Sequence, residues 1–184
     1  MRILIADDES ILRLGLKAML REMGHEVLAA ANGREALEMV RNHPVDLAIL
    51  DIKMPFTDGL QAAKTLARIF PLPIIMLTAY SDQELIDKAT DLPIHGYLVK
   101  PVQKGDVAAA ISVALKRFRD AQRLQEQALE LEGQLETRKL LDRAKARLIE
   151  TNHLSEDEAY HAMQAVARQK QQTLRQVAEA ILRQ

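Results

Sequence analysis

The chain has 184 residues, 25 lysines and arginines against 26 aspartates and glutamates, and a formal net charge of −1. That length accommodates one full domain plus a smaller appendage with ample core, and the near-neutral balance excludes global basicity, so any nucleic-acid binding must be local. The absence of cysteine removes disulfides, thiolate zinc sites and cysteine nucleophiles; no apolar run approaches the roughly 20 residues that span a bilayer, and the amino terminus reads as a strand rather than a signal peptide, so we expect a cytoplasmic protein.

Up to about Leu115 the chain alternates short apolar runs with amphipathic stretches. Strands are predicted near 2–6, 26–30, 46–50, 73–77 and 95–99, with helices near 10–23, 33–42, 58–69, 82–90 and 104–115. Such alternation implies parallel strands joined by crossover helices. The turn chemistry comes from Asn32-Gly33, His43-Pro44 and Asp58-Gly59, where Asp58 reads as an ordinary turn or capping residue. The expected fold class is α/β, a flavodoxin-like doubly wound sheet of five parallel strands in the order 2-1-3-4-5.

Beyond Leu115 there is no proline, a single glycine and a predominance of helix formers, so the helix from Lys104 should run on. Ala114, Ala121, Leu124, Ala128, Leu131 and Leu135 recur at seven, three, four, three and four residues, the pattern of a two-stranded coiled-coil seam. A single amphipathic helix docked on its own chain fits the same pattern. Three tail helices follow from caps and periods: one over 138–149, one after Ser155 with Glu158 three residues on, and one started by Thr173. The expected division is 1–118, a helical linker over 119–136, and a small three-helix bundle over 137–184.

Candidate functional groups follow the strands. Asp7 and Asp8 come after Ile3-Leu4-Ile5-Ala6, Asp51 after Leu47-Ala48-Ile49-Leu50, Thr78 after Ile74-Ile75-Met76-Leu77, and Lys100 after Gly96-Tyr97-Leu98-Val99. In an open parallel sheet, ligands bind outside the carboxyl ends of the strands where the strand order reverses, here between the first and third. Three carboxylates converging there repel one another, and a hard divalent cation, magnesium, relieves the repulsion. Asp51 is then placed as a nucleophile toward phosphorus, Lys100 as partner of the phosphoryl oxygens and Thr78 as a hydroxyl donor. His25, His43 and His95 are scattered without metal-ligand spacing and read as structural.

Over roughly residues 1–120 these motifs resemble the receiver domain of bacterial two-component response regulators: the paired acids Asp7 and Asp8, Asp51 in the run Asp51-Ile52-Lys53-Met54-Pro55-Phe56-Thr57-Asp58-Gly59, Thr78 within Leu77-Thr78-Ala79, and Lys100-Pro101. The resemblance implies phosphorylation of Asp51 by a sensor histidine kinase. It further implies Mg2+ held by Asp8, Asp51 and the Lys53 carbonyl with Asp7 acting through water, a cis bond before Pro101 and an aromatic switch at Tyr97.

From residue 138 onward nine basic residues face six acidic ones, and Arg138, Lys139, Arg143, Lys145 and Arg147 are clustered. Such a cluster fits a phosphate-binding surface, and equally a solvated helix face. Tyr160 fits base stacking, and equally a half-buried position in the bundle. Residues about 125–184 look like the ANTAR domain, an RNA-binding module of antiterminator regulators, through Arg143-Ala144-Lys145, Leu154-Ser155 with Glu158-Ala159-Tyr160, and Val177-Ala178 with Ile181. That resemblance implies RNA hairpins in leader transcripts as the partner, and a homodimer formed on phosphorylation. The whole chain thus reads as a phosphorylation-controlled antitermination regulator with no enzymatic output, because residues 120–184 hold no clustered nucleophile and base. A DNA-binding tail, or one serving only protein interaction and dimerisation, is the alternative.

Overall fold

A computed structural model describes residues 1–55, 59–79 and 92–183. The helix predicted near 82–90 and the turn residue Asp58 lie outside those residues. The strands are β1 (Arg2–Ala6), β2 (Glu26–Ala30), β3 (Leu47–Asp51), β4 (Ile74–Thr78) and β5 (Gly96–Val99). The described helices are α1 (Ser10–Glu22), α2 (Gly33–Asn42), α3 (Gly59–Ile69), α4 (Lys104–Asn152), α5 (Glu156–Lys170) and α6 (Leu174–Arg183). All strand pairs are parallel and the order is β2-β1-β3-β4-β5, as the alternating pattern predicts. Asp51 and Thr78 are the last residues of their strands rather than the first beyond them: Asp51 still pairs with Leu77, and Thr78 with Val99.

Chain contacts divide the protein into two compact units, residues 1–122 and 123–184. In the first, β3 and β4 are buried along their whole length, which is why their sequences read as unbroken apolar runs. Alternate strand residues serve opposite faces. Leu4, Ala48, Leu50 and Met76 pack with Ala36 and Val40 of α2 and with Ala62, Ala63 and Leu66 of α3. Ile3, Ile5, Ile49, Ile75 and Leu77 pack with Leu16 and Leu20 of α1 and with Val107, Ile111 and Ala114 of α4. Ala114 therefore belongs to the core of the first unit, fully buried, and not to the seam assigned to it. Its seven-residue spacing from Ala121 coincides with the Val107, Ile111, Ala114 core stripe, because a heptad and two helical turns nearly superpose. The remaining seam positions, Ala121, Leu124, Ala128, Leu131 and Leu135, are exposed.

In the second unit the expected first tail helix is the last part of α4, since nothing between Leu115 and Asn152 stops the helix. Ala144, Met163, Ala167, Val177 and Ala178 form its core, flanked by Leu140, Leu141, Leu148, Val166, Leu174 and Ile181. Ser155 and Glu158 cap α5 reciprocally, with Glu158 N–H donating to Ser155 Oγ at 3.3 Å and Ser155 N–H to Glu158 Oε2 at 2.8 Å. Thr173 caps α6 through the Gln176 N–H at 3.2 Å.

His95, read from sequence as a scattered structural residue, is a junction. Only 8% exposed, its Nδ1 accepts the Ile74 N–H at 3.1 Å, its own N–H donates to Ile74 O at 2.8 Å, and its ring meets Phe118 of α4 edge-on at 5.2 Å. Burial, with the nearby Arg117 charge, holds its pKa below the usual 6.5, because protonation would charge a desolvated ring and remove the acceptor. The folded-state depression means that its contribution to stability is present above the unfolded value and is lost as pH falls through the folded one. We expect the His95 ring resonances to titrate below pH 6.5 in NMR, with the Ile74 amide shifting in the same transition; titration at the ordinary value would contradict the junction.

Candidate functional site

β1 and β3 are neighbours at the point where the strand order reverses, and their carboxyl ends deliver the acids. Asp7 follows Ala6 and is fully buried, Asp8 is exposed, and Asp51 at the end of β3 is 5% exposed. Ligand oxygens of Asp7, Asp8 and Asp51 all lie within 4.8 Å of one another. Lys100, just past β5, reaches across them: Nζ donates to Asp51 Oδ2 at 2.9 Å and pairs with Asp7 Oδ2 at 3.0 Å and Glu9 Oε1 at 3.3 Å. The reach is set by backbone, since Lys100 N–H donates to Thr78 O at 2.9 Å; the Lys100–Pro101 peptide is cis, as the receiver resemblance implied.

The first β-to-α loop is fixed just as firmly. Glu9 N–H donates to Asp7 Oδ1 at 2.8 Å, and Arg13 Nη1 donates to the Asp7 carbonyl at 2.6 Å and the Asp8 carbonyl at 3.4 Å. Asp7 Oδ2 sits beside the Lys100 charge yet accepts no hydrogen bond from it in good geometry, so a buried anionic oxygen is left undersatisfied. Gly59, identified from sequence only as a turn residue, has a steric duty: a Cβ there would collide with the Asp51 carbonyl oxygen. Its N–H donates to Ile52 O at 3.0 Å, drawing the start of α3 against the end of β3.

Burial pushes the Asp51 pKa above the usual carboxylate range, and repulsion from Asp7 and Asp8 adds to the rise, against the pull of Lys100. Burial works the other way on Lys100, but the hydrogen bond and charge of Asp51, together with Asp7, outweigh it and raise its pKa. The carboxylates of Asp7, Asp8, Asp51 and Glu9 outnumber the one ammonium paired with them among the described residues and leave the pocket with uncompensated negative charge. An all-oxygen donor set with one undersatisfied buried oxygen and that residual charge fits a hard divalent cation such as magnesium.

Of the other predicted residues, Thr78 is buried at the end of β4 and its hydroxyl donates to Ala79 O at 3.0 Å. Tyr97 lies on β5 with 38% of its surface exposed, and Lys53 is exposed. In the second unit, Arg138, Lys139, Arg143 and Arg147 are exposed, and none of the four has an ion pair among the described residues. Lys145 differs, paired with Asp142 at 3.0 Å and Glu156 at 2.8 Å. A cleft of about 600 Å³ brings Arg138, Lys145 and Tyr160 together with Leu141 and with Arg175 of α6. Lys139, Arg143 and Arg147, at intervals of four, form a separate stripe on α4. Sequence reasoning did not single out Arg175, which meets the others only through the packing of the three helices.

The family model described as the response regulator receiver domain matches residues 3–112, and that of the ANTAR domain matches residues 129–182. The chain is 42% identical over 183 residues to the transcriptional regulatory protein PdtaR of Mycobacterium tuberculosis, covering 98% of this chain and 89% of that protein. Among solved structures it resembles a response regulator receiver domain protein from Clostridium thermocellum at TM-score 0.59 and 33% identity, covering 64% of this chain and 96% of that one. A receiver domain protein from Methanospirillum hungatei is similar at TM-score 0.60 and 30% identity, with 65% and 97% covered.

Because the Asp51 charge is disfavoured by its surroundings, replacing it with a neutral isostere should stabilise the first unit at neutral pH. A carboxyl whose folded pKa is raised contributes stability below its unfolded value and loses it as pH rises through the folded one. We expect Asp51→Asn to raise the thermal midpoint by about 2–4 °C at pH 7 without divalent cation, the gain shrinking as pH falls toward 4. Calorimetric scans showing a lower midpoint for the variant would contradict this electrostatic account.

Proposed function

Because the chain belongs to the response regulators that join a receiver domain to a C-terminal ANTAR domain, we propose that it takes a phosphoryl group from a sensor histidine kinase onto Asp51 and answers by binding RNA hairpins in leader transcripts, allowing transcription to read through terminators. It would work in the cytoplasm, where kinase and nascent transcript are both accessible. The observation that carries the reading is the convergence of Asp7, Asp8 and Asp51, two of them paired with Lys100.

In the transfer step an Asp51 carboxylate oxygen bonds to phosphorus as the bond from phosphorus to the kinase histidine nitrogen breaks. The electron pair stays with the ring, which takes a proton from solvent. Lys100 pairs with the phosphoryl oxygens from the side it now shares with Asp51 and Asp7, and the Thr78 hydroxyl turns from Ala79 O to donate to another oxygen. Asp8, Asp51 and the Lys53 carbonyl, with Asp7 through water, are the residues that would hold a magnesium ion, which supplies charge compensation for the phosphoryl oxygens. Tyr97, half exposed on β5, is the aromatic that would respond to the hydroxyl's movement.

For the output, Arg138, Lys139, Arg143 and Arg147 supply cations free to meet phosphates, and Tyr160 supplies an exposed ring for an unpaired base. Lys145 takes part only after leaving two acidic partners. The exposed leucines at 124, 131 and 135 suit a second copy of α4 at the seam, which supports phosphorylation-driven dimerisation as the route from receiver to tail.

Two measurements test the reading. Radiolabelled phosphoryl uptake from a small phosphodonor should require Mg2+ and vanish in Asp51→Asn; undiminished labelling of the variant would reject the assignment. In filter binding to hairpin RNA, Arg138→Ala should weaken affinity about three- to tenfold and lower the salt slope by about one, while Lys145→Ala has the smaller effect. Equal binding to duplex DNA, or none to either nucleic acid, would replace RNA with one of the other outputs.

A further inference from the structure

Glu9 is misplaced for the task its position advertises. It is the N-cap of α1, yet its side chain accepts no capping hydrogen bond, where serine, threonine, asparagine or aspartate would close the helix. Nor does it pair with Arg13 one turn on, the usual arrangement on a helix, because the Arg13 guanidinium donates to the Asp7 and Asp8 carbonyls. Its carboxylate instead lies 3.3 Å from Lys100 Nζ. The other two acids on that ammonium are buried, with Asp7 fully enclosed and the Asp51 side chain 6% exposed, while the Glu9 side chain is 64% exposed. Glu9 is thus the solvent-side partner of the ammonium that is to meet the incoming phosphoryl group.

We propose that Glu9 is a positioning residue that acts as a charge brake on phosphorylation of Asp51, competing for Lys100 and repelling the phosphodonor at the mouth of the pocket. The inference rests on the reading of Asp51 as phosphoacceptor. When acetyl phosphate is the donor, an Asp51 oxygen bonds to phosphorus, the bond from phosphorus to the bridging oxygen breaks, and its electron pair departs with acetate. Up to that point the pocket must admit a dianion past Glu9, and Lys100 must give the phosphoryl oxygens the contact that Glu9 shares. A role confined to the helix dipole, favourable for any acid at an N-terminus, would affect stability without depending on the donor's charge.

The test compares the full chain with Glu9→Gln, at saturating Mg2+ and low ionic strength, in initial rates of uptake from acetyl phosphate, a dianion, and phosphoramidate, a monoanion at neutral pH. A screened unit charge near the entering phosphoryl group changes the rate by about fourfold for the dianion and about twofold for the monoanion. Glu9→Gln is expected to accelerate uptake in those proportions, with the gain fading toward about 1 M salt. A Glu9→Gln rate that is unchanged or slower, or equal acceleration with both donors at every salt concentration, would overturn the brake. If the parent chain takes up phosphate normally, those results leave the Asp51 assignment standing. If the parent takes up none from either donor, both fall together.

Discussion

Lys100 sits among Asp51, Asp7 and Glu9 at 2.9, 3.0 and 3.3 Å, and much of the receiver can be understood as what is needed to hold that one ammonium against those acids. Without it, two buried carboxylates and an exposed third would face one another at the end of a desolvated sheet. With it, the pocket is still short of positive charge, which suits it to receive a divalent ion and then an anion. The raised pKa of Asp51 and the raised pKa of Lys100 are two sides of one arrangement: burial penalises both ions, and only the cation has enough opposite charge around it to prevail.

The sheet makes the arrangement geometrically obligatory. With the order β2-β1-β3-β4-β5, the ends of β1 and β3 lie side by side, and the helices that follow them, α1 and α3, pack on opposite faces. Lys100 must span from β5 past β4, and does so with its backbone tied to Thr78. Gly59 closes the other side, where any side chain would displace the carbonyl of Asp51 itself. Function at this site therefore rests on backbone positions as much as on the acids, and the tail repeats that logic, since its cleft exists only because α5 and α6 bring Tyr160 and Arg175 to α4.

Most of the receiver was legible because its signals are local. A buried strand reads as an apolar run, and a charged residue ending such a run stands out, so Asp7, Asp51 and Lys100 could be assembled from sequence once strand order was assumed. Ser155 with Glu158 was legible for the same reason, both halves of the cap lying within one turn. What failed to show was contact between distant segments. Ala114 looked like a seam residue because its partners on the sheet, Gly96 among them, are invisible to heptad counting. Lys145 looked like a free cation because Glu156 lies across a helix boundary, and His95 looked incidental because Ile74 and Phe118 are remote in sequence. Glu9 was overlooked beside its more conspicuous neighbours, since nothing local says that an exposed acid turns inward to a lysine 91 residues away.

On the proposed function, the pocket directs a phosphoryl group to one carboxylate among three whose oxygens lie within 4.8 Å of one another. Borohydride reduction converts an aspartyl phosphate to homoserine and so marks the acceptor for peptide mass spectrometry. After phosphorylation with Mg2+ and a small phosphodonor, that mark is expected at Asp51 and at neither Asp7 nor Asp8. Reduction that marks Asp7 or Asp8 instead, or labelled protein with no aspartate converted, would contradict it.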